Sequence, residues 1–589
     1  MRILFLTSAH NSLSQRLLIE LTGLGHQITV TIAASEDAML QSVAAHRPDL
    51  IIAPMLKDAI PEAVWSHYTC LIVHPGIKGD RGPSSLDWAI MNSEETWGVT
   101  ILQAAAEFDM GPVWAAREFS LGGLQSKSSV YHNEVTEAAV ACVLEAVAKF
   151  ESRQFQPEAL DYSNPGIRGR LRPPMRQGDR AIDWSRDSTE AVVRRINAAD
   201  SSPGVLDTLF GKSFFLYGAH EEERIKGAPG HILAQRHGAI CRGTVDGAVW
   251  ITHLKARDED GLCDIACLRR SGGCENCEAD LCLAAGIKLP ATRALGPAGC
   301  RIPRSELSID AALDHKTFRD ITYQEKEDAG YIAFDFYNGA MSTDQCRRLR
   351  EAFLFARTRP TKVIVLLGGR DFFANGIHLN VIEAAADPAH ESWRNINAID
   401  DLVHEILTTM SHLVIAGLRG NAGAGGAMLA LAADHVYARN GVVLNPHYRS
   451  MGGLYGSEYW TYTLPRRVGR AKSLELTSDC RPVGTLEAKA IGFIDDSFGS
   501  AIAEFECLLS ERAAQIAAGG DFWHRLREKH ERRIADERVK PLAHYRAEEL
   551  KNMHANFFGP DPAYHLARSK FVHKGKTLPL SSGAYRAAM

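Results

Sequence analysis

Apolar residues in the first part of the chain occur in short unbroken runs. Four such runs cover residues 2–7, 28–33, 50–54 and 70–74. Between them, residues 15–23 and 36–46 carry apolar side chains at helical spacing. Buried parallel strands have unbroken apolar sequences, and alternation with helices is typical of an open α/β sheet. The pattern therefore predicts such a sheet, with His74 at the end of a strand, where α/β folds place ligands.

The pattern changes twice further along the chain. From Ile182 we expect one amphipathic helix through residue 200, and from residue 204 short alternating runs broken by glycines indicate a small β-barrel. A second α/β unit begins near residue 331, where a capping box at Ser342 and Gln345 predicts a helix through Arg357. The predicted parts are an α/β domain (1–180), a barrel with a Cys-rich insertion (181–305), a second α/β domain (306–500) and a helical C-terminal region (501–589).

Composition narrows the function. The 589 residues are 45% hydrophobic and 23% charged, with a formal net charge of −5, which is ordinary for a globular protein. A nucleic-acid partner would require a basic excess, and no run approaches the roughly 20 apolar residues that cross a bilayer. The opening segment becomes polar too soon for a signal peptide. We expect a cytoplasmic protein with small-molecule substrates.

Five of the 12 cysteines form a cluster. Its members are Cys263, Cys267, Cys274, Cys277 and Cys282. One C-x-x-C occurs, so four thiolates could bind a structural zinc, but the paired knuckles of a strong zinc motif are missing. Loosely packed reduced thiols are the alternative. Neither predicted active site includes the cluster, so we expect no catalytic metal.

The first candidate site surrounds His74. Arg81-Gly82 follows in a Gly/Pro-rich loop, and Asp109-x-Gly111-Pro follows Gly98-Val-Thr. An aspartate can orient a histidine, set its tautomer and stabilise its charged form, so His74 and Asp109 form a candidate acid/base pair. Arg81 could hold an anionic substrate group.

These motifs resemble the folate-dependent formyltransferases, over about residues 1–254. The resemblance implies a Rossmann-like domain followed by an OB-like domain, and 10-formyltetrahydrofolate as substrate. It also implies catalysis by His74 and Asp109, with Arg81, Gly82 and Gly111 at the folate and formyl group. That family's Asn, two residues before the His, falls on Ile72 here. Because such an Asn stabilises the oxyanion, its loss favours a thiol acceptor over an amine.

The second half resembles the enoyl-CoA hydratase/isomerase (crotonase) family. The resemblance rests on the segments 372–379 and 420–426 and covers about residues 331–496. It implies a CoA thioester whose carbonyl oxygen is held by the N–H groups of Ile377 and Gly425, beside His378 and Leu379. That family's two catalytic glutamates fall on Met428 and His447, so water addition is not expected.

A different pair is available for acid/base chemistry in this half. Tyr448 and, ten residues later, Glu458 are residue types that can exchange protons at an oxyanion hole. We take Glu458 as the base and Tyr448 as the acid, and leave the reverse order open. Crotonases place basic residues late in the chain against CoA phosphates, which makes Arg546 and Lys570 candidates for CoA binding.

The order of the two halves resembles a family of [NiFe]-hydrogenase maturation factors. That resemblance spans nearly all of the chain and implies that formyl-CoA is made and then split to carbon monoxide and CoA, with other maturation proteins as partners. Two alternatives remain open. One is a formyltransferase for an amine acceptor with a separate CoA-binding half, and the other is a non-catalytic scaffold that binds folate and CoA. Oligomeric state and the route of formyl-CoA between the halves are left open.

Overall fold

The structure, a computed structural model, describes residues 1–257 and 286–575. The chain forms two compact units. The first comprises Met1–Leu206 with Tyr217–Ala219, and the second comprises Asp207–Leu216 and the chain from His220 onward. Within the described ranges, no helix is both long and apolar enough to cross a membrane.

The first unit is built on a six-stranded sheet. Its strands are β1 (Arg2–Thr7), β2 (Gln27–Ile32), β3 (Leu50–Ala53), β4 (Cys70–His74), β5 (Thr96–Gln103) and β6 (Val113–Ser120). Their order is β2-β1-β3-β4-β5-β6; the first four are parallel, and β5 and β6 are antiparallel to their neighbours. The predicted open α/β sheet is confirmed, and His74 is the last residue of β4.

Helices cover this sheet and complete its core. They span Ser12–Gly23, Glu36–His46, Glu62–Trp65, Ser85–Met91, Lys127–Val130, Thr136–Ser152, Gln177–Arg180 and Thr189–Ala198, with a π-helical turn at Tyr131–Val135. The central strands are buried on both faces, which is why they have unbroken apolar sequences.

The helix expected from Ile182 is shorter than predicted. It spans Thr189–Ala198, and its N-cap Ser188 accepts the N–H of Ala191. Upstream, the Asp183 carboxylate accepts the N–H and hydroxyl of Ser185. Such local side-chain bonds compete with helix formation, so the polar segment before Ser188 forms turns instead.

The middle of the chain contributes a second sheet. Its strands are β7 (Val205–Leu209), β8 (Lys212–Glu222), β9 (Ile232–Arg236), β10 (Ala239–Gly243), β11 (Ala248–Ala256) and β12 (Lys288–Pro290). The order is β7-β8-β11-β10-β9, with β12 paired to β11. Closure into an OB-like barrel stays a prediction. The cysteine cluster lies outside the described residues, and so does the zinc prediction.

The second unit contains two further sheets. Its strands are β13 (Ile321–Lys326), β14 (Ala329–Phe334), β15 (Val363–Leu367), β16 (Phe372–Ala374), β17 (Leu413–Leu418), β18 (Asn421–Gly423), β19 (His435–Arg439), β20 (Val443–Asn445), β21 (Val483–Gly484) and β22 (Asp496–Phe498). The larger sheet has the order β13-β14-β15-β17-β19-β22, and the smaller one β16-β18-β20-β21. The second α/β unit is thereby confirmed.

Helices pack around these sheets and continue into the C-terminal region. They span Ala291–Ala294, Pro297–Cys300, Thr343–Arg357, Leu379–Glu383, Pro388–Leu407, Gly425–Ala430, Trp460–Val468, Arg470–Asp479, Thr485–Ala490, Ile502–Ala518, Phe522–Val539, Leu542–Phe558 and Ala563–Val572, with a 3₁₀ turn at Tyr337–Gly339. The capping box at Ser342 and Gln345 forms as predicted. Met553 and Phe557, from the helix Leu542–Phe558, join the main core of the unit.

Candidate active sites

The first site places His74 beside Asp109. His74 is buried at the carboxyl end of β4, and its Nδ1 lies 3.5 Å from Asp109 Oδ1. The other oxygen of Asp109 accepts the N–H of Gly82 at 3.1 Å. The structure thus brings together the histidine, the aspartate and the Arg-Gly loop that the sequence pattern singled out.

A second carboxylate, Asp80, holds the other side of the imidazole. Its Oδ2 lies 3.1 Å from His74 Nε2, and its Oδ1 lies 3.2 Å from Nε of Arg172. A Cβ on Gly76 would lie 2.4 Å from His74 Nε2, so this contact requires glycine at position 76. Sequence reasoning missed Asp80 because an Asp next to Arg81 looks like a solvated loop charge, whereas it is 1% exposed.

A cavity of about 470 Å³ opens beside Asp109. It is lined by Arg81, Gly82, Pro83, Phe108, Asp109, Leu171, Arg172, Pro173 and Pro174. Two arginines therefore face a space that adjoins an acid/base pair, which suits an anionic, partly apolar ligand. A Cβ on Gly111 would be 1.7 Å from the carbonyl oxygen of Gln103, so Gly111 packs closely against β5, and its contact with the folate or formyl group stays a prediction.

In the second site, two backbone N–H groups lie close together. A Cβ on Gly376 would be 3.0 Å from the nitrogen of Gly425, which begins a helix. Within the part of the chain that the structure describes, the N–H groups of Ile377 and Gly425 donate to no acceptor. Free N–H groups at a helix start can stabilise a developing oxyanion.

Asn395 fixes the segment that carries Ile377. Its Oδ1 accepts the N–H of His378 at 3.0 Å, and its Nδ2 donates to the carbonyl of Met341 at 2.9 Å. Met341 in turn donates its N–H to Gly376. Nothing in the sequence distinguishes this buried Asn from other polar positions of the helix Pro388–Leu407, so sequence reasoning missed it.

Tyr448 and Glu458 are brought together next to Gly425. The Tyr448 hydroxyl donates to Glu458 Oε2 at 2.6 Å, and the N–H of Ser457 donates to the same oxygen at 3.2 Å. The other oxygen, Oε1, would be 2.2 Å from a Cβ on Gly425. Both side chains are buried. Glu458 therefore presents Oε1 to the segment that carries the free N–H groups.

Burial sets the protonation of this pair. Burial, followed by the nearby Asp400, raises the pKa of Glu458 to about 8. Burial and the Glu458 charge raise the pKa of Tyr448 well above its usual value. Tyr448 consequently keeps its proton and acts as a donor, while Glu458 can gain or lose one near neutral pH.

The candidate CoA-binding residues lie in different surroundings. His378 is buried and caps the helix that Leu379 begins, and burial lowers its pKa to about 4, which leaves it neutral. Arg546 pairs with Asp401 at 2.7 Å. Lys570 is exposed on the helix Ala563–Val572. Their contact with CoA stays a prediction.

Comparisons with known proteins agree with this arrangement. Residues 26–147 match the formyl transferase family, residues 174–262 its C-terminal domain, and residues 332–564 the enoyl-CoA hydratase/isomerase family. The fold and its two sites thus define a formyltransferase-like domain followed by a crotonase-like domain.

Full-length relatives identify the family. The chain is 47% identical to the hydrogenase maturation factor HoxX of Bradyrhizobium diazoefficiens, over 98% of this chain and 95% of that protein. It is 45% identical to HypX of Aquifex aeolicus, solved in complex with tetrahydrofolic acid, with a TM-score of 0.90 and coverage of 99% and 100%. Methionyl-tRNA formyltransferase of Thermotoga neapolitana is 29% identical over 35% of this chain and 66% of that protein. The chain belongs to the HypX/HoxX family of hydrogenase maturation factors.

Proposed function

We propose that this protein makes carbon monoxide for [NiFe]-hydrogenase maturation in two steps. The first transfers the formyl group of 10-formyltetrahydrofolate to the thiol of CoA, and the second splits formyl-CoA into carbon monoxide and CoA. One observation carries the proposal. A buried Tyr448–Glu458 pair lies beside Gly425, one of the two residues with free N–H groups in the crotonase-like domain, and the same chain has a formyltransferase-like domain. The folate complex of the Aquifex relative supports the choice of formyl donor.

In the first step, the bond from N10 to the formyl carbon breaks and a bond from sulfur to that carbon forms. The thiol proton ends on N10, and we assign its transfer to His74, oriented by Asp109 at 3.5 Å and by Asp80 at 3.1 Å. Arg81 and Arg172 line the adjoining cavity and suit the negative charge of a folate carboxylate. Ile72 provides no oxyanion donor, which a thiolate nucleophile needs less than an amine does.

In the second step, the bond between formyl carbon and sulfur breaks and the formyl hydrogen leaves as a proton. The N–H groups of Ile377 and Gly425 hold the thioester oxygen. Glu458 Oε1, which faces Gly425, takes the formyl proton, and the leaving sulfur is protonated by the Tyr448–Glu458 pair. Tyr448 holds Oε2 and thereby fixes the direction of Oε1. His378, Leu379, Arg546 and Lys570 are the proposed contacts to CoA.

The test separates the two steps. Purified protein with 10-formyltetrahydrofolate and CoA should release carbon monoxide that haemoglobin traps. His74→Ala should stop formyl transfer but still release carbon monoxide from supplied formyl-CoA. Tyr448→Phe and Glu458→Gln should transfer the formyl group yet release no carbon monoxide. Normal release by both of the latter variants would refute the second site.

The same assay distinguishes the alternatives. Formyl transfer that proceeds without CoA, onto an added amine, would identify an amine formyltransferase. Binding of folate and CoA with no turnover in either half would identify a scaffold.

A further inference from the structure

Two buried carboxyl groups converge on the turn that carries Glu458. Asp400 lies on the helix Pro388–Leu407 and Glu549 on the helix Leu542–Phe558, and both are fully buried. Buried carboxyls are costly unless they are hydrogen-bonded, so the donors that surround them indicate what they do.

Among the described residues, every hydrogen-bond donor to these carboxyls, apart from the cation Arg546, belongs to the segment 457–461. Asp400 accepts the hydroxyl of Ser457 at 2.8 Å and the N–H of Glu458 at 2.8 Å. Glu549 accepts the N–H of Tyr459 at 2.9 Å and both the N–H, at 2.8 Å, and the hydroxyl of Thr461. The turn is thereby held from two helices at once.

The turn needs this support because its backbone is strained. Glu458 has a φ of 62° and Tyr459 a φ of 56°, a left-handed conformation that side chains other than those of Asn and Asp rarely adopt. The carboxyl that this turn carries lies next to Gly425.

The Ser457 hydroxyl lies between the two carboxyls. The single Ser457 hydroxyl lies 2.8 Å from Asp400 and 3.4 Å from Glu549 Oε2, and it can donate to only one of them. The shorter distance assigns the hydroxyl proton to Asp400, and Glu549 Oε2 accepts the N–H of Tyr459 instead. Burial and the neighbouring Asp400 raise the pKa of Glu549 to about 8, and burial raises that of Asp400 to about 6, so Asp400 is the member that ionises first.

We infer that Asp400 and Glu549 are positioning residues for Glu458: together they hold its left-handed turn, and Asp400 places a second carboxylate against its backbone N–H. The negative charge of that carboxylate should disfavour the ionisation of Glu458. The role of Glu458 as the base of formyl-CoA cleavage rests on the proposed function, but its ionisation does not. The charged and titratable groups that face Glu458 from the surrounding elements are Tyr448, Cys346, Asp400, Glu549 and, through Asp400, Arg546.

Asp400→Asn separates charge from geometry. The amide oxygen can still accept the N–H of Glu458, and the amide nitrogen can donate to Ser457, whose own proton then goes to Glu549. The turn therefore keeps its hydrogen bonds while the charge is lost. Glu391→Gln is the matched control, because Glu391 is a buried carboxyl of the same helix that pairs with Thr343 and Arg394 and is not among the groups that face Glu458.

The measurement is infrared titration of the protonated-carboxyl band of Glu458, assigned by its loss in Glu458→Gln. In the wild-type protein the band should persist at pH 7. In Asp400→Asn its midpoint should fall by about one pH unit, a tenfold change in the ionisation constant, and the alkaline rise of carbon monoxide release should shift with it. Glu391→Gln should leave both unchanged.

Two results would overturn the inference. One is a wild-type Glu458 that is already ionised at pH 7. This result does not depend on whether any variant folds. The other is a folded Asp400→Asn protein whose Glu458 midpoint equals that of the wild type. If the protein releases no carbon monoxide at all, the proposed function fails, yet the infrared titration still decides the role of Asp400.

Discussion

Replacing Gly425 by alanine is the sharpest test of the second site. The added Cβ would lie 2.2 Å from Glu458 Oε1 and 2.7 Å from its Cδ, although real Cβ atoms stay at least 3.0 Å from such neighbours. Oε1 must therefore move by about 0.8 Å or more, away from Gly425. Because the turn of Glu458 is held at Ser457, Tyr459 and Thr461, the carboxyl has little freedom to adapt.

The size of the effect follows from that displacement. A misplacement of about 1 Å can cost roughly 100-fold in rate, which corresponds to about 2.7 kcal/mol in the barrier. We expect Gly425→Ala to release carbon monoxide from formyl-CoA about 100-fold more slowly, while formyl transfer to CoA stays at the wild-type rate. The position has no left-handed φ, so alanine strains only the contact with Glu458.

The assay traps carbon monoxide with haemoglobin under single-turnover conditions and measures tetrahydrofolate release separately. Gly520→Ala is the control, because a Cβ there meets nothing within 4 Å. A folded Gly425→Ala protein that releases carbon monoxide within threefold of the wild-type rate would show that Glu458 does not act from its observed position.

Two further predictions concern the state of each site. Carbon monoxide release should rise as the pH increases through about 8, because Glu458 must lose its proton to act as a base and burial raises its pKa to about 8. A rate that falls over pH 7–9 would contradict this assignment. Gly76→Ala should slow formyl transfer at least tenfold, because its Cβ would lie 2.4 Å from His74 Nε2 and 2.6 Å from Asp80. Cleavage of supplied formyl-CoA should be unaffected. Unchanged formyl transfer would show that the contact between His74 and Asp80 is dispensable.

Local patterns predicted much of the fold because burial dictates them. The strand Cys70–His74, the helix Glu36–His46 and the helix Thr343–Arg357 occur with their expected bounds. The antiparallel pairing of β5 and β6 could not be foreseen, because an apolar run does not reveal the direction of its neighbour. The predicted start of a helix at Ile182 was wrong for another reason. The hydrogen bonds from Ser185 to the Asp183 side chain outweigh the helical spacing there, and the helix begins at Thr189.

Sequence motifs identified the groups that would touch a substrate but not those that hold them. His74 with Asp109, and Tyr448 with Glu458, are paired in the structure as expected. Asp80, Asn395, Asp400 and Glu549 contact these groups or the backbone beside them, and most of their partners are remote in sequence or belong to the backbone. The sequence does not show whether a carboxylate is buried or solvated, and only the folded structure distinguishes the two.

The helix Leu542–Phe558 shows that the charged C-terminal part of the chain supplies contacts to the candidate active site. Its charged, periodic sequence predicts a helical C-terminal region, and in the structure Glu549 bonds to Tyr459 and Thr461, while Met553 Sδ accepts the N–H of Gly456 at 3.1 Å. The turn of Glu458 is thus supported by a helix beyond residue 496, where the resemblance to the hydratases was expected to end, and the family match to residue 564 includes that helix. A crotonase-like domain that ends near residue 500 would keep the N–H groups of Ile377 and Gly425 but would lose one of the two supports of Glu458. The change of chemistry that we propose for this domain therefore depends on the C-terminal helix as much as on the exchanged catalytic positions.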